Sequence, residues 1–335
     1  MLKSAVHTVE VPREEIKVPS VVAGYMIDST IAYVKILRFT NSTYREFMDH
    51  WERMSTQNHA EHLILDLRDN PGGYLKEAVN ILSQIIEEEG KLLVYTEGKN
   101  QSRIEYKSTG KVFFPVGNVT VLINEASASA SEIIAGCIQD QDRGLIIGTP
   151  TYGKGLVQNT REIGYNSQVK LTTAKYYIPS GRCIQGVEYE NGVPKNIADS
   201  LRAEFKTKGG RKVLDGGGVK PDIVIDAEKM PEIVEQLIKD DILFKYATAY
   251  KLKHQEIKPL REFSFTEFED FLKFVKHSGF EYKSVLTGAL EAFKAKAMDH
   301  PQWNAMSKDF DDLNKRIKED PDKLLVQYKE LIVKN

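Results

Sequence analysis

Three serines at alternate positions, Ser127, Ser129 and Ser131, stand in the run from Asn124 to Glu132, and Lys154 follows Ser129 by 25 residues in Gly153-Lys154-Gly155. A serine at the mouth of a predicted helix and a lysine in a glycine-flanked loop just after a strand are the parts of a serine nucleophile with an amine base. Such a pair needs no histidine. Ser129 and Glu132 also have capping-box spacing, so the plain reading is a helix start. The setting adds to it, because a serine on a turn into a helix is surrounded by free backbone N–H groups at the positive end of the helix dipole. Donors of that kind can hold the oxyanion of an acyl-transfer intermediate. The Ala130 amide is one candidate. The Gly72-Gly73 turn at the end of a neighbouring strand is the second, since glycine lets backbone approach a substrate closely. By itself the run Asp69-Asn70-Pro71-Gly72-Gly73 reads simply as a good turn.

A free lysine amine, with a pKa of about 10.4, is protonated near neutral pH, so a lysine base needs burial. Leu145, Ile146 and Ile147 before the loop, and Leu156 and Val157 after it, are expected to bury Lys154. The alternative is a solvated loop lysine, as most lysines are.

Other motifs compete. Gly148-Thr-Pro-Thr-Tyr-Gly153-Lys154 fits the phosphate-loop pattern, but Gly155 stands where Ser or Thr must hold magnesium. The residues after Gly155 read as strand, so no helix N-terminus receives phosphate. Ser167 and Lys170 form an SxxK pair in a predicted hairpin, whereas that motif needs a helix. His59 and His62 lack a third ligand, and Asp309, Asp311 and Asp312 lack the glycine and spacing of a calcium loop. No metal or cofactor is implied.

The elements that must position these residues alternate. Strands are predicted at 31–39, 62–67, 91–97, 119–124 and 144–148, with helices at 42–54, after Gly73 and over 130–139. Such alternation implies βαβ units and a largely parallel sheet. From 157 to 178 the texture is a hairpin about Gly-Tyr-Asn, and 186–220, with its Gly209-Gly210 and Gly216-Gly217-Gly218 runs, reads as a polar surface excursion. From 229 the chain turns helical. Thr266 and Glu269 form a capping box, Gly279 is a stop, and Pro301 and Pro321 each mark a first helical residue. Residues 5–11 alternate like the last strand of a truncated module.

With 335 residues, 41% hydrophobic, and a formal charge of −2, the chain is globular, has no gross charge bias toward a polyanion, and carries no apolar run of membrane-span length. Nucleic acid and a membrane span are therefore not expected partners. Cys137 and Cys183 are too few for a disulfide framework and read as packing residues. No signal peptide is apparent at the start.

The strings EVPREEIKVPSV, LILDLRDNPGGYL, SASASEIIAG, IQDQDRG, TYGKGLVQ and TTAKYYIPSGR resemble those of the C-terminal processing peptidases, or tail-specific proteases, over residues 8 to 225. That resemblance implies an α/β fold, a crotonase- or Clp-protease-like βαβ spiral core with a C-terminal helical subdomain. It implies a PDZ remnant and linker at 1–18, a peptidase core at 19–228 and a helical subdomain at 229–335. It makes Ser129 the nucleophile, Lys154 the general base and Gln158 the residue that orients the lysine. Gly73 and Ala130 match the oxyanion donors, and Arg68, Gly72, Glu132, Asp140 and Thr151 match supporting positions. The implied function is a serine endopeptidase that cleaves unfolded or tail-tagged polypeptides near their C-termini, outside the cytoplasm and in a possible homo-oligomer.

Two departures bear on this. Ala126 stands where most members have glycine, and the family's PDZ domain, which captures substrate tails by strand addition, is represented only by residues 1 to 13. The rival functions are a latent peptide-binding scaffold, whose dyad never aligns without that module, and a crotonase-like acyl-CoA enzyme.

Overall fold

The computed structural model describes residues 10–14, 16, 18–190, 193–196, 199–225, 230–254, 256–258 and 262–334. Two compact units divide the chain, Met1–Ala227 and Glu228–Asn335. The strand expected at 5–11 lies largely outside the described residues.

The first unit opens with β1 (Val21–Met26) and β2 (Ile31–Ile36), an antiparallel pair. Asp28 closes their turn by accepting the Thr30 and Ile31 amides, each at 2.8 Å. Next come α1 (Thr43–Asn58), β3 (His62–Asp66), α2 (Leu75–Ile85), β4 (Leu92–Gly98), β5 (Gln101–Lys107), β6 (Val119–Ile123), α3 (Ala130–Asp140), β7 (Gly144–Gly148), β8 (Leu156–Gly164) and β9 (Ser167–Tyr177). Two small hairpins, β10 (Val187–Glu190) with β11 (Val193–Asn196) and β12 (Glu204–Lys206) with β13 (Lys212–Leu214), precede the short β14 (Ile223–Val224).

The main sheet has the order β1-β2-β3-β6-β7-β14, parallel from β2 onward. Helices α1, α2 and α3 lie on the crossovers, as parallel pairing requires. The expected parallel α/β core is therefore present. One strand is placed differently: β4 leaves this sheet and joins β5-β4-β9-β8, an antiparallel sheet. The apolar run at 91–97 does not reveal its partners, because a strand covered on both faces reads alike in either sheet. Strands β1 and β5 carry weaker patterns and are additions to the sequence reading.

Burial follows the periodicity. On α1, Phe47, Trp51 and Met54 share the inward stripe, and the Trp51 indole donates to the Phe114 carbonyl at 3.0 Å. Every residue of α3 is buried, including Glu132 and Asp140. Those two carboxylates must then be partnered within the protein.

The 186–220 segment is the expected surface excursion over residues 200–212, which are largely exposed, but not at its end. Gly216 and Gly218 are buried with positive φ, and a Cβ on Gly218 would meet the Thr151 carbonyl oxygen and hydroxyl at 2.5 Å. The segment returns inward to complete the main sheet through β14.

The second unit is helical: α4 (Glu232–Lys239), α5 (Ile242–Lys253), α6 (Phe268–His277), α7 (Val285–Ala297), α8 (Trp303–Ile317), α9 (Pro321–Gln327) and α10 (Lys329–Lys334). Its core gathers Ile233, Leu237, Phe271 and Val275 with Tyr246, whose ring meets Phe271 and Phe274 edge-on. Pro321 is the first residue of α9, with Asp320 as its cap, and Gly279 follows α6 with φ +76°. Two local expectations fail. Glu267, with no side-chain cap bond, precedes α6 in place of a Thr266 box, and Pro301 stands ahead of Gln302, which caps α8.

Candidate active site

Strands β3, β6 and β7 are adjacent and parallel, so the loops at their C-terminal ends converge: Arg68–Gly73, Asn124–Ser129 and Thr149–Gly155. The crevice outside the carboxyl ends of parallel strands is where open α/β sheets bind ligands. Each loop carries part of the sequence-derived site.

The alternation of the serines has a structural meaning. Ser127 is buried, donates to the Leu67 carbonyl at 2.8 Å and accepts the Asn124 amide at 3.0 Å. Ser131 is buried and donates to the Asn70 carbonyl at 3.0 Å. Both serve the backbone of the turn, which leaves Ser129 facing the crevice. Its backbone, at φ +58° and ψ −113°, lies in a region that residues with a Cβ rarely adopt. Strain of this sort costs about 1–3 kcal/mol and persists where the surroundings over-determine it.

Gly72 is the counterpart on the β3 loop. At φ +94° it lies so close that a Cβ would meet the Ala128 carbonyl oxygen at 2.5 Å and Ser129 Cβ at 2.7 Å. Gly73, at φ +145°, is fixed by Phe39: the Phe39 amide donates to the Gly72 carbonyl at 2.9 Å and the Tyr74 amide to the Phe39 carbonyl at 3.0 Å. Among the described residues no protein acceptor takes the Gly73 or the Ala130 amide. Asn70 holds this turn, its side chain spanning the Ile36 carbonyl and the Gly72 amide. Ala126 takes the glycine-like position without positive φ, so its methyl group is accommodated.

Glu132 joins the Ser129 turn to the lysine loop. Its Oε2 accepts the Ser129 and Lys154 amides, each at 2.8 Å, and its Oε1 accepts the Thr151 hydroxyl at 2.6 Å and the Gly153 amide at 2.7 Å. Thr151 Oγ1 is itself the acceptor of the Val219 amide at 2.7 Å, so its proton points to Glu132. Burial pushes the Glu132 carboxyl above the ordinary glutamate range, and the four donors offset this only in part. Since all four partners donate, the set fits the ionised carboxylate. Its place in the first turn of α3 adds the helix dipole to that preference.

Ser129, Lys154 and Gln158 line one cavity of about 620 Å³ with Gly72, Gly73 and Ala130. Lys154 is half-buried, not enclosed as its neighbours suggest: Leu145 is 47% exposed, because side chains alternate along β7 and only Ile146 points fully inward. No carboxylate among the described residues pairs with Lys154. Gln158 is exposed on β8, and no hydrogen bond joins it to Lys154 among the described residues.

Arg68 and Asp140 lie apart from the cavity lining. Arg68 pairs with the buried Asp66 at 2.7 Å, where Tyr33 also donates at 2.5 Å. Asp140, at the far end of α3, pairs with the buried Arg182 at 2.9 Å and accepts the Ser180 amide at 2.9 Å. Helix α3, at 1.5 Å per residue, separates it from Ser129 by roughly 16 Å.

Tyr176 was not singled out by the sequence reading. It lines the cavity, is 2% exposed, and donates its phenol hydroxyl to the Lys154 carbonyl. Ser129 lines the same cavity. The signal was the period of β9: Ala174 and Tyr176 fall on its buried face, and a buried tyrosine needs a partner for its hydroxyl.

The model of a family described as "Peptidase family S41" matches residues 30–199, half of the chain. The chain belongs to peptidase family S41. A second model, described as "Probable PDZ-protease, C-terminal helical domain", matches residues 233–335. Among curated S41-like relatives, a carboxy-terminal-processing protease of Bartonella bacilliformis is 36% identical over 210 residues, which is 60% of this chain and 45% of that protein. A probable CtpA-like serine protease of Staphylococcus aureus strain N315 is 35% identical over 179 residues, 53% of this chain and 35% of that protein. This S41 chain thus spans less than half the length of these relatives. Among solved structures, the photosystem II D1 C-terminal processing protease aligns with a TM-score of 0.49 at 26% identity, over 65% of this chain and 51% of that one. No helix among the described residues is long and apolar enough to cross a membrane.

Proposed function

We propose that this S41 chain is a serine endopeptidase that cleaves unfolded or tail-tagged polypeptides near their C-termini, with Ser129 as nucleophile and Lys154 as general base. The reading is carried by one observation: both side chains line a single cavity, and Glu132 ties their two backbones together.

Lys154 is the proton acceptor of the first step. It takes the Ser129 hydroxyl proton as Oγ attacks the scissile carbonyl carbon, and the resulting oxyanion is received by the Gly73 and Ala130 amides. Collapse breaks the C–N bond, and the departing amine takes the proton from the Lys154 ammonium. The same amine then deprotonates a water, which attacks the acyl ester, and as the ester C–O bond breaks the Lys154 ammonium returns that proton to Ser129 Oγ. Gln158 lies on the edge strand beside Lys154 and serves to orient it when substrate fills the cavity. From the relatives' processing activities, we assign the substrate class to polypeptide tails and the site of action to an extracytoplasmic compartment.

The test is cleavage of a casein-like or tailed substrate by the parent, Ser129→Ala and Lys154→Ala. Both variants should be inactive. Turnover retained by either one defeats the assignment, and peptide binding by the parent without cleavage or acyl-enzyme favours a latent scaffold.

A further inference from the structure

The Lys154 loop is anchored on one side by Glu132, which takes amide protons, and on the other by Tyr176, which gives a proton to the Lys154 carbonyl. The phenol arrives from β9, whose pairing with β8 through Leu156↔Lys175 and Val157↔Ala174 sets it beneath the residues just after the lysine. Its backbone is fixed as well, since the Tyr176 amide donates to the Gly155 carbonyl at 3.0 Å. A phenol has one proton to give. That proton goes to the Lys154 carbonyl, so the phenol is committed to the lysine loop as a donor. Complete burial pushes the Tyr176 phenol well above the ordinary tyrosine range, so the group remains a neutral hydroxyl.

We propose that Tyr176 is a positioning residue for the dyad: its hydroxyl holds the Lys154 carbonyl and so sets the lysine loop against the Ser129 turn to which Glu132 ties it. The proposal rests on the peptidase reading of the site. Glu132 fixes the amide side of Lys154 and Tyr176 its carbonyl side, so the phenol completes the hold on the loop from which the lysine lines the cavity.

The experiment uses the full chain and an active-site-directed fluorophosphonate, with intact mass reporting the rate of Ser129 labelling in the parent, Ser129→Ala, Tyr176→Phe and a variant carrying fluorotyrosine at position 176. Tyr176→Phe keeps the buried ring and should melt near the parent. Its labelling should slow about 10- to 100-fold, the scale expected when a reacting group is misplaced. On a casein-like substrate kcat should fall by the same factor with KM unchanged. Fluorotyrosine, which restores the hydroxyl, should recover most of the rate. Parent-like labelling by Tyr176→Phe, or a fluorotyrosine variant as slow as Tyr176→Phe, overturns the positioning role. A parent that is not labelled, or a Ser129→Ala variant labelled equally, instead overturns the peptidase reading and this proposal with it.

Discussion

Glu132 and Lys154 are joined through the backbone: the buried carboxylate takes the Lys154 amide at 2.8 Å on the same oxygen that takes the Ser129 amide. The proposed nucleophile and the proposed base are thereby held by the backbone through one side chain. Glu132→Gln would turn an NH₂ group toward two donors. Leaving buried donors unsatisfied costs about 1–3 kcal/mol each. Urea denaturation should show a loss on that scale, and Ser129 labelling should slow by about 100-fold as the two loops drift. Parent-like values in both measurements would remove Glu132 from this role.

The three serines should separate cleanly. Ser127→Ala and Ser131→Ala each remove a buried hydrogen bond to a carbonyl and should cost about 1 kcal/mol while retaining the label. Ser129→Ala should lose the label with stability unchanged or improved, because residues placed for reaction are seldom the ones that stabilise the fold. Mass spectrometry of the labelled peptides, with melting curves, checks all three.

Gly72→Ala meets the Ala128 carbonyl oxygen and Ser129 Cβ in addition to an unfavourable φ, whereas Gly90→Ala, also at positive φ, enters open space. The second substitution should cost about 1 kcal/mol, the backbone penalty alone. The first should cost more than that and suppress labelling. Equal destabilisation would mean that the nucleophile turn yields easily.

Arg68 bears on acid stability. Asp66 is buried, which raises its carboxyl, but the bonds from Arg68 and Tyr33 more than offset this, leaving it below the usual aspartate range. A carboxylate with a lowered folded pKa contributes stability above its unfolded value near 3.9, and loses it as pH falls through the folded value. Arg68→Ala should therefore destabilise by about 1 kcal/mol at neutral pH, a modest figure because Arg68 is half exposed. The gap should shrink below pH about 4. Urea melts at the two pH values decide it, and a gap that widens in acid contradicts the assignment.

Asp140 and Arg182 form a buried pair at the end of α3 away from Ser129. Asp140→Ala leaves a buried guanidinium uncompensated, at a cost of about 3–5 kcal/mol. The surviving folded protein should label Ser129 at the parent's rate. A slowed rate per folded molecule would give Asp140 a share in the site itself.

Much of this arrangement was legible in the chain. The GLIIG run marks β7 residue for residue, and the Ser129–Glu132 spacing anticipates a bond that forms. Local patterns carry such information because caps and apolar runs act within a few residues. The company of β4 was not legible, since sheet membership is settled by partners far along the chain. The enclosure of Lys154 was misread for a related reason: apolar neighbours on a strand alternate, and half of them face away. Tyr176 escaped notice because its value lies in its hydroxyl's partner, the Lys154 carbonyl, which comes from another loop.

The Val219 amide grips Thr151, and the Asp222 carboxylate takes the Ile146 amide, so the last stretch of the first unit braces the ledge on which Lys154 stands. A hairpin segment that could pass for a dispensable ornament ends as a buttress. Shortening β10 to β13 would be tolerated only if the glycines at 216–218 still delivered this strut to the same place, which makes the reactive amine hostage to residues more than sixty positions downstream.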